Sequence, residues 1–134
     1  MDKIYYRKRR NYKYFLSETY NIKTYIYPKC DIDTEYCAFR SDGSLRVFSG
    51  YGWDGPSGPT VDTKSFMRGS LVHDVLYQLM REGHLPRASR GAADKLLKQM
   101  CIEDGMSKFR AAYVYASVRV FAGGFVKSDV IEAP

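Results

Sequence analysis

Hydrophobic and polar positions change rhythm once along this chain, near Thr63. Before that point the pattern is that of strands. Residues 12 to 27 are rich in aromatic and β-branched side chains without a helical period, and Pro28 and Asp31-Ile32-Asp33 interrupt the run. Residues 35–40 and 44–49 then flank Ser41-Asp42-Gly43. An Asp-Gly pair between two such runs predicts a hairpin whose central residues tolerate positive φ. Leu45, Val47 and Ser49 alternate with Arg46 and Phe48, as on a half-buried strand. These segments predict a small N-terminal antiparallel sheet.

From Thr63 the period becomes 3.6. Phe66, Met67, Leu71, Val75, Leu76, Leu79 and Met80 recur at three- and four-residue spacing, with Asp62 or Thr63 as N-cap and Gly83 as terminator. After the linker His84-Leu85-Pro86-Arg87, Ser89 is the expected cap of a second helix. That helix carries the stripe Leu96, Leu97, Met100, Cys101 and ends at Gly105. Ser107 caps a third helix, with Phe109, Ala112, Tyr113, Ala116 and Val120 on the face expected to be buried, and Gly123-Gly124 stops it. A sheet, a loop and three helices make an α+β class. No internal repeat or interdomain linker interrupts the order. Residues 12–124 read as one domain, between a basic arm at 1–11 and a tail at 125–134.

Composition narrows the functional classes. The chain has 134 residues, 45% of them hydrophobic and 27% charged, enough for one core without staples. Three cysteines (Cys30, Cys37, Cys101) cannot all pair, which favours free thiols and a reducing compartment. No apolar run approaches the roughly 20 residues of a membrane span. No apolar stretch of signal-peptide type follows the basic start, so no cleaved leader is expected. The net charge of +6 owes much to Arg7-Lys8-Arg9-Arg10, with Tyr5, Tyr6, Tyr12 and Tyr14 around it. Such a run is either a solvated arm or a contact for anionic lipid or for nucleic acid, the last being the weakest of these readings.

Chemistry concentrates around His73-Asp74. His73 and Tyr77 are four apart and share a helical face, while Asp74 points about a quarter turn away. Asp94 lies near the start of the second helix, and the short connection makes the two helices antiparallel neighbours. Asp94 is thus placed to orient the His73 imidazole through one ring nitrogen, leaving the other as a general base. No serine or cysteine stands out as nucleophile; Ser70, one turn back, reads as core filling. An activated water is the natural attacker. Asp74, with Asp54 and carbonyls of the Gly/Pro-rich loop Tyr51–Thr60, would make an all-oxygen site suited to Ca²⁺ rather than zinc. The plainer alternative is that His73 and Asp74 form a polar rim on a core helix. Gly50-Tyr-Gly-Trp-Asp-Gly55 formally matches G-x-G-x-x-G, but Pro56 and Pro59 stand where a dinucleotide-binding helix would start.

Four motifs together resemble a known family: Gly52-Trp-Asp54-Gly55, then Val72-His-Asp74 within 66–77, then Ala93-Asp94 within 90–97, then AYVYASVRVFA at 112–122. In that order they resemble the phage and prophage proteins known as domain of unknown function 1353, over roughly residues 12–124. The helical half is also similar to the secreted phospholipases A2, above all the compact prokaryotic ones. That resemblance implies an antiparallel helix pair with His73 as general base, Asp94 as its orienting carboxylate and Tyr77 hydrogen-bonded to Asp94. It also implies Ca²⁺ held by Asp74, Asp54 and the Gly55 carbonyl, polarising an ester. The disulfides and the usual Gly-rich calcium loop of those enzymes have no counterpart here. Two readings follow: a Ca²⁺-dependent lipid esterase, or a non-catalytic phage structural or interaction protein that keeps the helix pair as scaffold. Membrane lipid or other phage proteins are the expected partners, and host cytoplasm or the virion the expected location.

Overall fold

A computed structural model describes residues 4–7, 14–53 and 64–121. The expected α+β order is present: strands first, then three helices. The strands, however, form two small antiparallel sheets rather than one. Strands β1 (Tyr6–Arg7), β2 (Tyr14–Leu16) and β7 (Gly52–Trp53) make a three-stranded sheet in the order β1-β2-β7. Strands β3 (Tyr20–Lys23), β4 (Ile32–Asp33), β5 (Cys37–Phe39) and β6 (Ser44–Val47) make a four-stranded sheet in the order β3-β6-β5-β4.

The division falls inside the run read as one strand-rich stretch. Residues 17–19 turn the chain between β2 and β3, so each sheet takes one piece. Ile32–Asp33, read as a break, instead pairs with Ala38 and Phe39 as a short edge strand, burying Ile32 and leaving Asp33 outside. Tyr6–Arg7, within the segment read as an arm, pairs with Phe15 and Leu16. Residues 8–10 lie outside the described residues.

The β5–β6 connection is a three-residue loop. Gly43 has φ 94°, but Asp42 does not share its positive φ, so this is a turn closed by a left-handed glycine rather than the two-residue turn expected. The Gly43 N–H donates to Arg40 O (2.9 Å) and Arg40 N–H to Ser44 O (2.8 Å). Leu45 and Val47 are buried and Arg46 exposed, as the alternation predicts; Ser49 is exposed because β6 has already ended.

Helix α1 (Lys64–Arg81) supplies most of the core between the sheets and the other helices. Phe66, Leu71, Val72, Val75, Leu76 and Leu79 pack in one cluster with Leu16, Phe39, Leu45, Val47 and Trp53. Helix α2 (Arg90–Glu103) buries Leu96, Leu97, Met100 and Cys101 as expected. Its start differs from the expectation: Ser89 makes no side-chain cap, because a 3-10 turn at Arg87–Ser89 runs directly into the helix. Ser107 does cap α3 (Lys108–Phe121), its Oγ accepting from Arg110 N–H at 3.2 Å. The caps placed at Asp62 or Thr63 and at Gly123-Gly124 lie outside the described residues.

Helices α1 and α2 run antiparallel and very close. A Cβ at Gly69 would stand 2.9 Å from Leu97 Cδ1 and 3.4 Å from Cys101 Sγ. At one end of the pair the buried Arg68 donates to Asp104 (3.0 Å), Glu103 (2.9 Å) and the Tyr20 hydroxyl (2.9 Å), tying α1 to the end of α2 and to β3. At the other end Tyr36 donates to Glu82 at 2.6 Å.

The third helix turns the opposite way from its sequence expectation. Ala111, Val114, Ser117 and Val118 are buried, whereas Phe109, Ala112, Tyr113, Ala116 and Val120 face outward. Both sides of α3 are apolar, so periodicity alone does not choose between them.

Gly43→Ala tests the hairpin. A side chain there would adopt a left-handed conformation costing about 1–2 kcal/mol and would also press on the backbone of buried Thr24. Urea unfolding should show a loss of at least that size.

Candidate functional site

The antiparallel helix pair brings His73, Tyr77 and Asp94 together at its centre. His73 and Tyr77 leave the same face of α1, one turn apart, with ring centroids separated by 4.1 Å. Asp94 meets them from the first turn and a half of α2 and is wholly buried. Its Oδ1 lies 2.7 Å from His73 Nε2 and accepts the Tyr77 hydroxyl at 2.5 Å. Its Oδ2 accepts from Arg119 Nη1 on α3 at 2.9 Å. The Arg90 guanidinium stands behind, 3.9 Å from Oδ2, donating to the Tyr77 hydroxyl (3.2 Å) and to the Val118 carbonyl (3.0 Å) and Arg119 carbonyl (2.5 Å).

These contacts set the charges. Burial opposes ionisation of Asp94, but hydrogen bonds from His73 and Tyr77, with Arg119 added, outweigh it and hold the carboxyl below its ordinary range. For Tyr77, burial and then the bond to Asp94 push the phenol well above its ordinary value, so it remains a donor. An ionised Asp94 can only accept, so His73 Nε2 carries the proton in that bond. In the neutral ring the lone pair is then on Nδ1. That atom has no hydrogen-bond partner among the described residues. The ring is itself buried, the residue being 6% exposed.

Asp74 faces elsewhere. It is half-buried and near Tyr51, whose phenol is raised first by its own burial and then by the Asp74 charge. Tyr51 immediately precedes β7, and the Trp53 indole donates to Ser70 Oγ on α1 at 3.1 Å. Ser70 in turn donates to Met67 O, so its hydroxyl is occupied in holding the tryptophan. Asp74 thus turns toward β7, whose Gly52 and Trp53, read as part of the loop, instead pair with Phe15 and Tyr14. Asp54 and Gly55, the other two calcium ligands inferred from the resemblance, lie outside the described residues. Among the described residues no three acidic, histidine or cysteine side chains cluster as a metal site. Two carboxylates and a carbonyl are nevertheless a donor set that a hard cation accepts.

Sequence reasoning assigned no role to Arg90 and Arg119. The Arg90–Asp94 spacing of four on one helix was a readable signal. Arg119 carried a weaker one, as a lone cation following the uncharged stretch 111–118.

Features away from the dyad are separate from it. A groove of about 540 Å³ lies on the outer face of the four-stranded sheet, lined by Asn21, Lys23, Arg40, Ser44 and Arg46, and does not include His73. Its cations have partners at hand: Arg40 with Asp33 (2.9 Å), Lys23 with Asp42 (3.4 Å) and Arg46 with Asn21 (2.8 Å). Cys30, Cys37 and Cys101 are all free thiols, with burial pushing Cys37 up to about 11 and Cys101 up to about 12. No helix among the described residues is long and apolar enough to cross a membrane.

Comparison with family models, with curated proteins and with solved structures finds no match to this chain. The motif resemblance therefore rests on the residues that carry it.

The depressed Asp94 carboxyl has a consequence for acid stability. The unfolded chain takes up this proton near pH 3.9 and the folded protein only at lower pH, so the group stabilises above about pH 4 and that contribution drains as pH falls. Asp94→Asn should cost about 3 kcal/mol at neutral pH, the low end for breaking a buried pair, because Arg119 keeps access to water. It should also flatten the acid limb of a urea-midpoint titration against pH. An unchanged acid limb would deny Asp94 this role.

Proposed function

We propose that the protein is an ester hydrolase of phospholipase A2 type, acting on a lipid or lipid-like ester with water as nucleophile. The observation that carries this reading is the His73–Asp94 dyad, in which Nε2 is anchored to a buried carboxylate and that bond leaves Nδ1 unused. His73 Nδ1 takes a proton from water as the water oxygen bonds to the ester carbonyl carbon. Collapse of the tetrahedral adduct breaks the bond to the alkoxy oxygen, which receives that proton from the imidazolium. The products are a carboxylic acid and an alcohol. Asp94 fixes the ring and offsets its transient positive charge, and Tyr77 and Arg119 fix Asp94.

Asp74, Asp54 and the Gly55 carbonyl are the residues that would hold Ca²⁺. The bound ion would supply Lewis-acid stabilisation of the developing oxyanion. The reading belongs to a phage-type protein through the motif resemblance alone.

One observation favours a second reading, that of a non-catalytic structural or interaction protein. Asp94 is shared among three helices, and Arg119 adds a bond that a catalytic dyad does not require. In that case the network is a scaffold and His73 a core residue.

Release of fatty acid from a short-chain phospholipid, with and without calcium, separates the two. For the enzyme, His73→Ala should lower the rate by about 10²–10⁴-fold. Calcium should raise the wild-type melting temperature but not that of Asp74→Asn. Equal rates for wild type and His73→Ala, or no hydrolysis by either with calcium present, would leave the scaffold reading.

A further inference from the structure

Among the described residues, the outward face of α3 is an uncovered apolar stripe. Phe109 is 88% exposed, Val120 73% and Tyr113 50%, and Ala112 and Ala116 lie between them. At 100° per residue all five fall within about a quarter to a third of the helix circumference. Large apolar side chains at such exposure are ordinary when scattered; three on one face of one helix are not.

The charge around the stripe selects what covers it. Helix α3 carries Lys108, Arg110 and Arg119 and no acidic residue. Lys108 and Arg119 flank the stripe on one side and Arg110 on the other. Lys108 is exposed and has no ion pair among the described residues. Lys98 of α2 lies 5.6 Å from the Tyr115 ring, adding a further cation close to the helix. A basic amphipathic helix with an outward aromatic suits an anionic lipid surface, where the apolar residues enter the acyl boundary and the cations meet headgroups.

A second copy suits the face less well. The stripe is about 16 Å long and offers on the order of 400 Å², against about 800 Å² per partner in a stable interface. Pairing two copies would also set like-charged helices together.

We infer that the Phe109–Tyr113–Val120 face of α3 is a docking surface for anionic lipid bilayers. Docking itself needs no turnover, so the inference adds a partner to the proposed hydrolase without depending on hydrolysis.

Co-sedimentation tests it, using the full chain with vesicles of phosphatidylcholine alone or mixed equally with phosphatidylglycerol. Wild type should pellet with the mixed vesicles, more weakly at high salt, and not with phosphatidylcholine alone. Phe109→Asp and Val120→Asp should each weaken binding by about 10–100-fold with melting temperature unchanged, since both positions are exposed. His73→Ala should bind as wild type does, which separates failure of docking from failure of the hydrolase reading. Three outcomes overturn the inference: no binding to the mixed vesicles, binding that Phe109→Asp and Val120→Asp leave intact, or a wild-type dimer that Phe109→Asp makes monomeric.

Discussion

Burying one carboxylate is the constraint that organises the helical half of this protein. An ionised group removed from water costs several kcal/mol unless nearly all its acceptor capacity is used. Asp94 meets that demand with donors from α1 and α3: the His73 ring and Tyr77 hydroxyl on one oxygen, the Arg119 guanidinium on the other. Each donor must come from a helix at one particular height and rotation. The carboxylate thereby fixes how α1, α2 and α3 sit together, and Gly69 lets α1 and α2 come near enough for the bonds to form. Arg90 completes the arrangement by holding the last-turn carbonyls of α3, where a cation also opposes the negative end of the helix dipole.

The same economy separates two adjacent side chains. His73 looks toward α2 and Asp74 toward Tyr51 and β7, as the helical step between neighbours requires. In the proposed hydrolase this would let a general base and a cation ligand sit on consecutive residues without competing for one another. The tryptophan held on Ser70 keeps β7 against α1 one turn before Asp74, so the strand preceding the glycine-rich loop has a fixed end.

The helix pair and its His73–Tyr77–Asp94 meeting point were legible because they rest on strong local signals: a sustained 3.6 period, helix-ending glycines and a spacing of four. The sheets were legible only as strand content. Strands of two to four residues carry too little alternation to reveal that residues 17–19 turn the chain from one sheet to the other, or that Ile32 is a buried edge residue. The buried face of α3 was misread for a different reason. Its inner side uses the smaller Ala111, Val114 and Val118, while Phe109 and Tyr113 point out, so side-chain size favoured the wrong face. What orients the helix is Arg119 reaching Asp94 and Arg90 reaching the α3 carbonyls, long-range contacts that no local window contains.

Arg119 belongs to both sides of that helix at once. Its side chain is more than a third exposed, at the margin of the outward stripe, yet one of its nitrogens holds the fully buried Asp94 carboxylate. An anion that draws the guanidinium outward must therefore compete with Asp94 for it, and a proton placed on Asp94 must release it. By linkage the two events are reciprocal: occupancy outside and proton affinity inside shift one another by equal free energies. A single side chain thus makes the outer surface and the buried dyad one thermodynamic system.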